Sequence, residues 1–159
     1  MEGPGRIARV GVWRARTSDM PRDMDRIVVA AKAGSDQPWL ADAAAELAQQ
    51  TGAAVSVVSL DGLDVEMLST TPRSEFRELA QRAVDGVLEH LRAAGVQAEG
   101  EVRSGPVTRG VLVYAEEKEA DVIVVGASTK GRMARRVLGS VPVELIQRAR
   151  RPVLVITPS

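Results

Sequence analysis

Asp121-Val122-Ile123-Val124-Val125-Gly126 is the stretch that decides the fold. Its four consecutive β-branched residues leave no polar position for a wet face, so a strand made from them is buried on both sides. That pattern belongs to the interior of a parallel sheet. Working outward, three more runs have the same character: RIVVAA at residues 26–31, VSVVSL at 55–60 and PVLVIT at 152–157. Residues 96–103 are more polar and suit a peripheral strand. Helical spacing fills the gaps. Leu40, Ala43, Ala44, Leu47 and Ala48 share one stripe, with a turn and N-cap expected at Gly34-Ser35-Asp36 and a stop at Gly52. Phe76, Leu79, Ala80, Ala83, Val87, Leu88 and Leu91 form a second stripe, ended by Gly95, and His90 falls off it among polar neighbours. Gly105-Pro106 opens a helix over 107–118, and a short one follows over 142–149.

Strands alternating with amphipathic helices predict an α/β fold: a doubly wound, five-stranded parallel sheet with helices on both faces. Ligands of such sheets lie beyond the carboxyl ends of the strands, where the strand order reverses. The loops after Val29, Val58 and Val125 are therefore the places to search for a site.

Composition narrows the chemistry. The 159 residues, 45% of them hydrophobic, suit one domain with one core. The absence of cysteine excludes disulfides, thiol catalysis, Cys-ligated zinc and iron–sulfur clusters. A single histidine, His90, argues against a His-rich metal site or a Ser-His-Asp relay, so no metal ligands are assigned. Aromatic residues, at 3%, are too few for base-stacking platforms on single-stranded nucleic acid. No run reaches the roughly 18 apolar residues of a membrane span. Residues 1–25 hold Arg6, Arg9, Arg14, Arg16 and Arg22 and lack the apolar run of a secretory signal. They are expected to be a flexible Arg-rich extension in which only IARVGVW, residues 7–13, suits a strand or helical turn. The folded domain is expected over residues 26–159, in a cytoplasmic protein.

The loop after Val125 carries the candidate chemistry. Gly126 ends the buried strand, and without a Cβ it permits close approach of a ligand. Gly139-Ser140 precede a short helix whose free N–H groups and dipole favour an anion. Between them stand the hydroxyls of Ser128 and Thr129 and the cations Lys130, Arg132, Arg135 and Arg136. This is the composition of a phosphate cradle, although it matches neither the Walker A nor the Gly-x-Gly-x-x-Gly pattern. Each part also has a plainer use, as strand terminator, helix cap and solvated charge. The formal net charge of zero hides an uneven distribution. From Gly126 to Arg151, seven cations face one acid, Glu144, which leaves a local +6 against −6 elsewhere. Such a field favours a small polyanion at one loop and gives no general attraction to nucleic acid.

Over residues 26–157 the chain resembles the universal stress protein domain. The matching segments are RIVVAA, Gly52 twenty residues after Lys32, VSVVSL, ADVIVVG, LGSV and RARRPVLVI. The family's ATP signature is Gly, two residues, Gly, nine residues, Gly, then Ser or Thr. Gly126, Gly139 and Ser140 occupy three of its positions, Thr129 replaces the second glycine, and Gly131 lies two residues further on. Lys32 stands where nucleotide-binding members usually carry an aspartate. The resemblance implies that Ala31, Lys32 and Leu60 border adenine and ribose. It implies that Gly126, Ser128, Thr129 and Lys130 surround the ribose and α-phosphate, and that Gly139, Ser140 and Val141 hold the outer phosphates. It also implies a homodimer paired through the last strand, residues 152–157.

Three functions follow. The first is an ATP-binding regulatory protein with little or no turnover, in which another adenine nucleotide or Mg²⁺-bound ATP are variants and slow hydrolysis is compatible. The second is a nucleotide-free interaction module with a degenerate pocket, marked by Lys32 and Thr129. The third, an adenylyl-transfer enzyme, ranks last, because no acid/base pair is evident and Ser140 lacks a nucleophile elbow. No catalytic residue is assigned. No membrane or nucleic-acid partner is expected.

Overall fold

The computed structural model describes residues 9–13, 24–62, 72–127 and 139–158. Its elements are β1 (Arg9–Trp13), β2 (Arg26–Ala30), α1 (Pro38–Thr51), β3 (Ala54–Leu60), α2 (Arg73–Ala93), β4 (Ala98–Arg103), α3 (Val107–Glu117), β5 (Val122–Gly126), α4 (Ser140–Arg148) and β6 (Val153–Thr157). They build one sheet in the order β1-β6-β5-β2-β3-β4. The five strands from β2 to β6 are mutually parallel, as expected, and β1 joins the edge antiparallel.

The two-sided burial foreseen for the apolar runs is what places the helices. Ile27, Val29, Val55, Val57, Val122 and Val124 pack with α1 and α2 on one face. Val28, Ala30, Val58, Ile123, Val125, Val153 and Val155 pack with α3 and α4 on the other. Each fully buried apolar side chain of this size stabilises by roughly 1.5–3 kcal/mol. Alanines let α1 lie close: Ala41, Ala43, Ala44, Ala45 and Ala48 are all buried. At the amino ends of the strands, one carboxylate binds β2 to β5. Asp121 Oδ2 accepts hydrogen bonds from the backbone N–H of Asp25 at 2.8 Å and of Arg26 at 2.9 Å.

Two local expectations need correction, and a third is made specific. Of the strand or helical turn that residues 7–13 suit, the structure shows the strand: Arg9–Trp13 pairs along β6. Five residues with a glycine at their centre are a weak strand by themselves; what recruits them is the otherwise bare apolar edge of β6. The same pairing means that residues 152–157 are not an open edge. The remaining extension residues before Met24 lie outside the described residues. The cap of α1 is Gln37, rather than Ser35 or Asp36, because Pro38 starts the first helical turn, and Gln37, a poor capping residue, makes no side-chain cap. Finally, α4 begins at Ser140, two residues earlier than the expected start at Pro142.

Candidate functional site

The strand order reverses between β2 and β5, which makes their carboxyl ends the place for a site. Ladder bonds hold the exits in place: the Ala31 N–H donates to Val58 O at 2.9 Å, and the Ala127 N–H to Ile156 O at 2.8 Å. Above them opens a cleft of about 300 Å³. Ala31, Lys32, Leu60, Gly126, Gly139, Ser140 and Val141, seven of the residues singled out from the sequence, all line it. Ser128, Thr129 and Lys130 lie outside the described residues, as do Arg132, Arg135 and Arg136.

The cleft has an apolar floor and two different walls. Val107, Val111 and Val125 contribute the floor, and Phe76 closes one side. Gly110, in α3, would place a Cβ 2.6 Å from Leu60 Cγ, so a glycine is what lets the helix close against the strand end beneath the cleft. One wall is the start of α4. Gly139 holds φ +97°, a left-handed conformation that favours glycine, and no side chain caps the helix behind it. The N–H groups of Ser140 and Val141 have no acceptor within the helix, and Pro142 has no N–H at all. Those two amides and the helix dipole form a small anion-binding end.

The opposite wall is the loop from β2 to α1. Lys32 is exposed there, with no ion pair among the described residues. Gln37 and the indole of Trp39 crowd Gly126: a Cβ on that glycine would sit 2.9 Å from Gln37 Nε2 and 2.6 Å from Trp39 Cη2. The missing Cβ of Gly126 therefore makes room for the protein's own side chains. A second groove, about 390 Å³, lies behind this wall and shares Ala31, Lys32 and Gln37 with the cleft. His90 lines that groove and pairs through Nε2 with Asp42, as a half-exposed surface residue.

Asp61, at the end of β3, escaped the sequence reading. It lines the cleft although it is 2% exposed. Its Oδ2 accepts from Ser104 Oγ at 2.9 Å and its Oδ1 from the Gly105 N–H at 3.1 Å, while Arg77 Nη1 stands 3.7 Å away. The carboxylate thus fixes the turn that launches α3. Its position in one of the three loops marked for search was a usable signal. Gln37 and Trp39 offered none, because their role depends on where the first turn of α1 lands.

Two of the counted cations, Arg151 and Arg148, fall among the described residues away from the cleft. Arg151 Nη1 pairs with Glu116 Oε2 at 3.2 Å, and Arg148 ends a helix whose start faces the cleft, about 12 Å away at 1.5 Å per residue. The groups with displaced ionisation also lie elsewhere, at β4 and α3. Hydrogen bonding to Lys118 lowers the Glu99 pKa, the Arg103 guanidinium lowers that of Glu117, and burial raises that of Tyr114. Arg103 and Lys118 sit over the Tyr114 ring, 4.8 and 5.5 Å from its centroid. No three His, Asp or Glu side chains gather as a metal site among the described residues, and no described helix is long and apolar enough to cross a membrane.

Residues 24–157 match the model of the universal stress protein family. A curated universal stress protein of Methanocaldococcus jannaschii is 35% identical over 81 residues, which is 51% of this chain and 48% of that protein. The match thus spans about half the length of the curated relative. Among solved structures, a universal stress protein from Archaeoglobus fulgidus superposes with a TM-score of 0.68 at 26% identity, covering 83% of this chain and 98% of that one. The Archaeoglobus fulgidus protein in complex with dAMP gives 0.65 at 26% identity, covering 83% and 97%.

Proposed function

The chain belongs to the universal stress protein family, and on that premise we propose that it binds an adenine nucleotide, ATP foremost, and acts as a cytoplasmic regulatory protein with little or no turnover. The observation that carries this reading is the single cleft in which Ala31, Leu60, Gly126, Gly139, Ser140 and Val141 meet. Its size lies at the lower end of small-molecule sites, and its make-up suits the ligand: an apolar floor for a base, and a helix start for phosphate. The dAMP complex of a relative supports an adenine nucleotide at a site of this fold. The amides of Ser140 and Val141 would hold the outer phosphates, and any Mg²⁺ would come with those phosphates. Lys32 supplies an exposed positive charge where the family's usual aspartate would accept hydrogen bonds. Ser140 binds through its amide and hydroxyl. Among the described residues the displaced acids and bases belong to β4 and the end of α3, and none of them lines the cleft.

Lys32 and the crowding of Gly126 by Trp39 and Gln37 favour a second reading, a nucleotide-free interaction module. Titration calorimetry with ATP and Mg²⁺ on dialysed protein separates the two. The proposal expects saturable heat, or adenine nucleotide released when freshly purified protein is denatured. No heat up to millimolar ligand together with no released nucleotide would replace it with the second reading.

A further inference from the structure

The edge strand β1 is the feature that neither the cleft nor the family accounts for. We propose that Arg9–Trp13 is a detachable cap on a self-association edge, competing with the last strand of a second copy of this chain for the outer side of β6. Three observations lead there.

The first is register. Arg9 pairs with Thr157, Val10 with Ile156, Gly11 with Val155, Val12 with Leu154 and Trp13 with Val153, so β1 covers the whole length of β6. The second is the quality of what is covered. Val153, Leu154, Val155 and Ile156 are all buried, and without β1 they would form a flat apolar edge with a row of unpaired backbone groups. The opposite edge shows the contrast: β4 (AEGEVR) carries Glu99, Glu101 and Arg103, charges that discourage pairing with another sheet. The β6 strand (VLVIT) carries no charged side chain, and among the described residues β1 is what covers it.

The third is symmetry. Two identical edges that meet across a two-fold axis normal to the sheet must run antiparallel. That is the direction of β1, so the partner's strand would satisfy the same backbone groups in the same sense. With strands spaced about 4.8 Å apart, only one of the two can occupy the position. The cap is suited to leaving. It is five residues long with Gly11 at its centre, and twelve residues join Trp13 to Arg26. A tether of that length can reach about 40 Å, far more than the roughly 14 Å across three strand spacings. The covalent link thus sets an effective concentration and does not lock the strand.

The test uses full-length protein, measured by sedimentation velocity over a concentration series. Replacing Val10 and Gly11 together by proline removes at least one N–H that faces β6, since neighbouring residues point opposite ways. The wild-type chain is expected to be the weaker self-associator, and the V10P/G11P chain to dimerise at least about ten-fold more tightly, because a tethered competitor has been removed. The chain has no native cysteine, so a Gly11→Cys, Val155→Cys pair offers a second arm. Oxidised, it should become an internally cross-linked monomer at every concentration, and on reduction it should regain wild-type association. Equal dissociation constants for wild-type and proline chains would overturn the proposal. So would a cross-linked monomer that still dimerises, a cross-link that forms between chains, or one that does not form at all.

Discussion

The two walls of the cleft are built on different principles. The α4 wall presents backbone: a glycine at φ +97° and the unpaired amides of a helix start, a device indifferent to most side chains nearby. The β2–α1 wall presents side chains, namely Lys32, Gln37 and the Trp39 ring that packs on Gly126. The contrast teaches where this chain keeps the pattern of the family it resembles and where it departs. The backbone-built wall keeps Gly139-Ser140, and the side-chain-built wall carries lysine in place of aspartate. Affinity for phosphate should therefore reside in the first wall, and ligand choice in the second.

The largest expected effect comes from breaking the backbone wall. Gly139→Glu puts a charged L-residue in a left-handed conformation at the anion end, and nucleotide affinity should fall at least about 100-fold, or about 2.8 kcal/mol. Calorimetry reads the loss, and circular dichroism checks that the fold remains. Partner binding that survives this change without nucleotide would favour the interaction-module reading. Next comes the join between the walls. Gly126→Ala must displace Trp39 or Gln37, and overpacking of this kind should lower stability by about 1–3 kcal/mol in urea unfolding. An unchanged midpoint would show that the indole yields freely. Smaller again, Lys32→Ala should weaken ATP binding about five-fold, near the upper end of roughly 1 kcal/mol for an exposed charge pair. The loss should shrink in high salt and be smaller for AMP. A salt-independent loss would mean that Lys32 acts by packing.

The smallest effect is a control outside both walls. The Glu99 and Glu117 pKa values are lowered by Lys118 and Arg103, so their ion pairs stabilise the fold above the ordinary glutamate range. That contribution is lost as pH falls below about 4.5 through the lowered values. Both groups are largely solvent-exposed, so the change is modest. The melting temperature of Lys118→Ala should trail wild type at pH 7 and converge with it in acid. A constant gap across that range would remove the ion pair from the explanation.

What the chain makes legible follows from how local each cause is. Val122-Ile123-Val124-Val125 reveals a two-sided strand because four apolar residues in a row admit no other sheet position, and the helical stripes place α1 to α4 on its faces. Gly126, Gly139 and Ser140 are visible because backbone geometry restricts the residues allowed there. Arg9–Trp13 is legible only as a strand or a helical turn, since the partner that decides between them lies 140 to 148 residues away. Asp61 depends on the turn at Ser104-Gly105, and Trp39 on the landing point of α1, both set only when the sheet is assembled. The cap of α1 was misplaced for a related reason: Pro38 fixes the first turn and leaves Gln37, a poor capping residue, at its end.

The packing of Trp39 on Gly126 has a spectroscopic consequence. The chain has two tryptophans, Trp13 and Trp39. One belongs to the strand that caps β6, and the other stands at the wall of the cleft. Each carries its own light source for a different question. A Trp13→Phe chain reports on the cleft through emission changes as nucleotide is added, and a Trp39→Phe chain reports on whether the edge strand is seated.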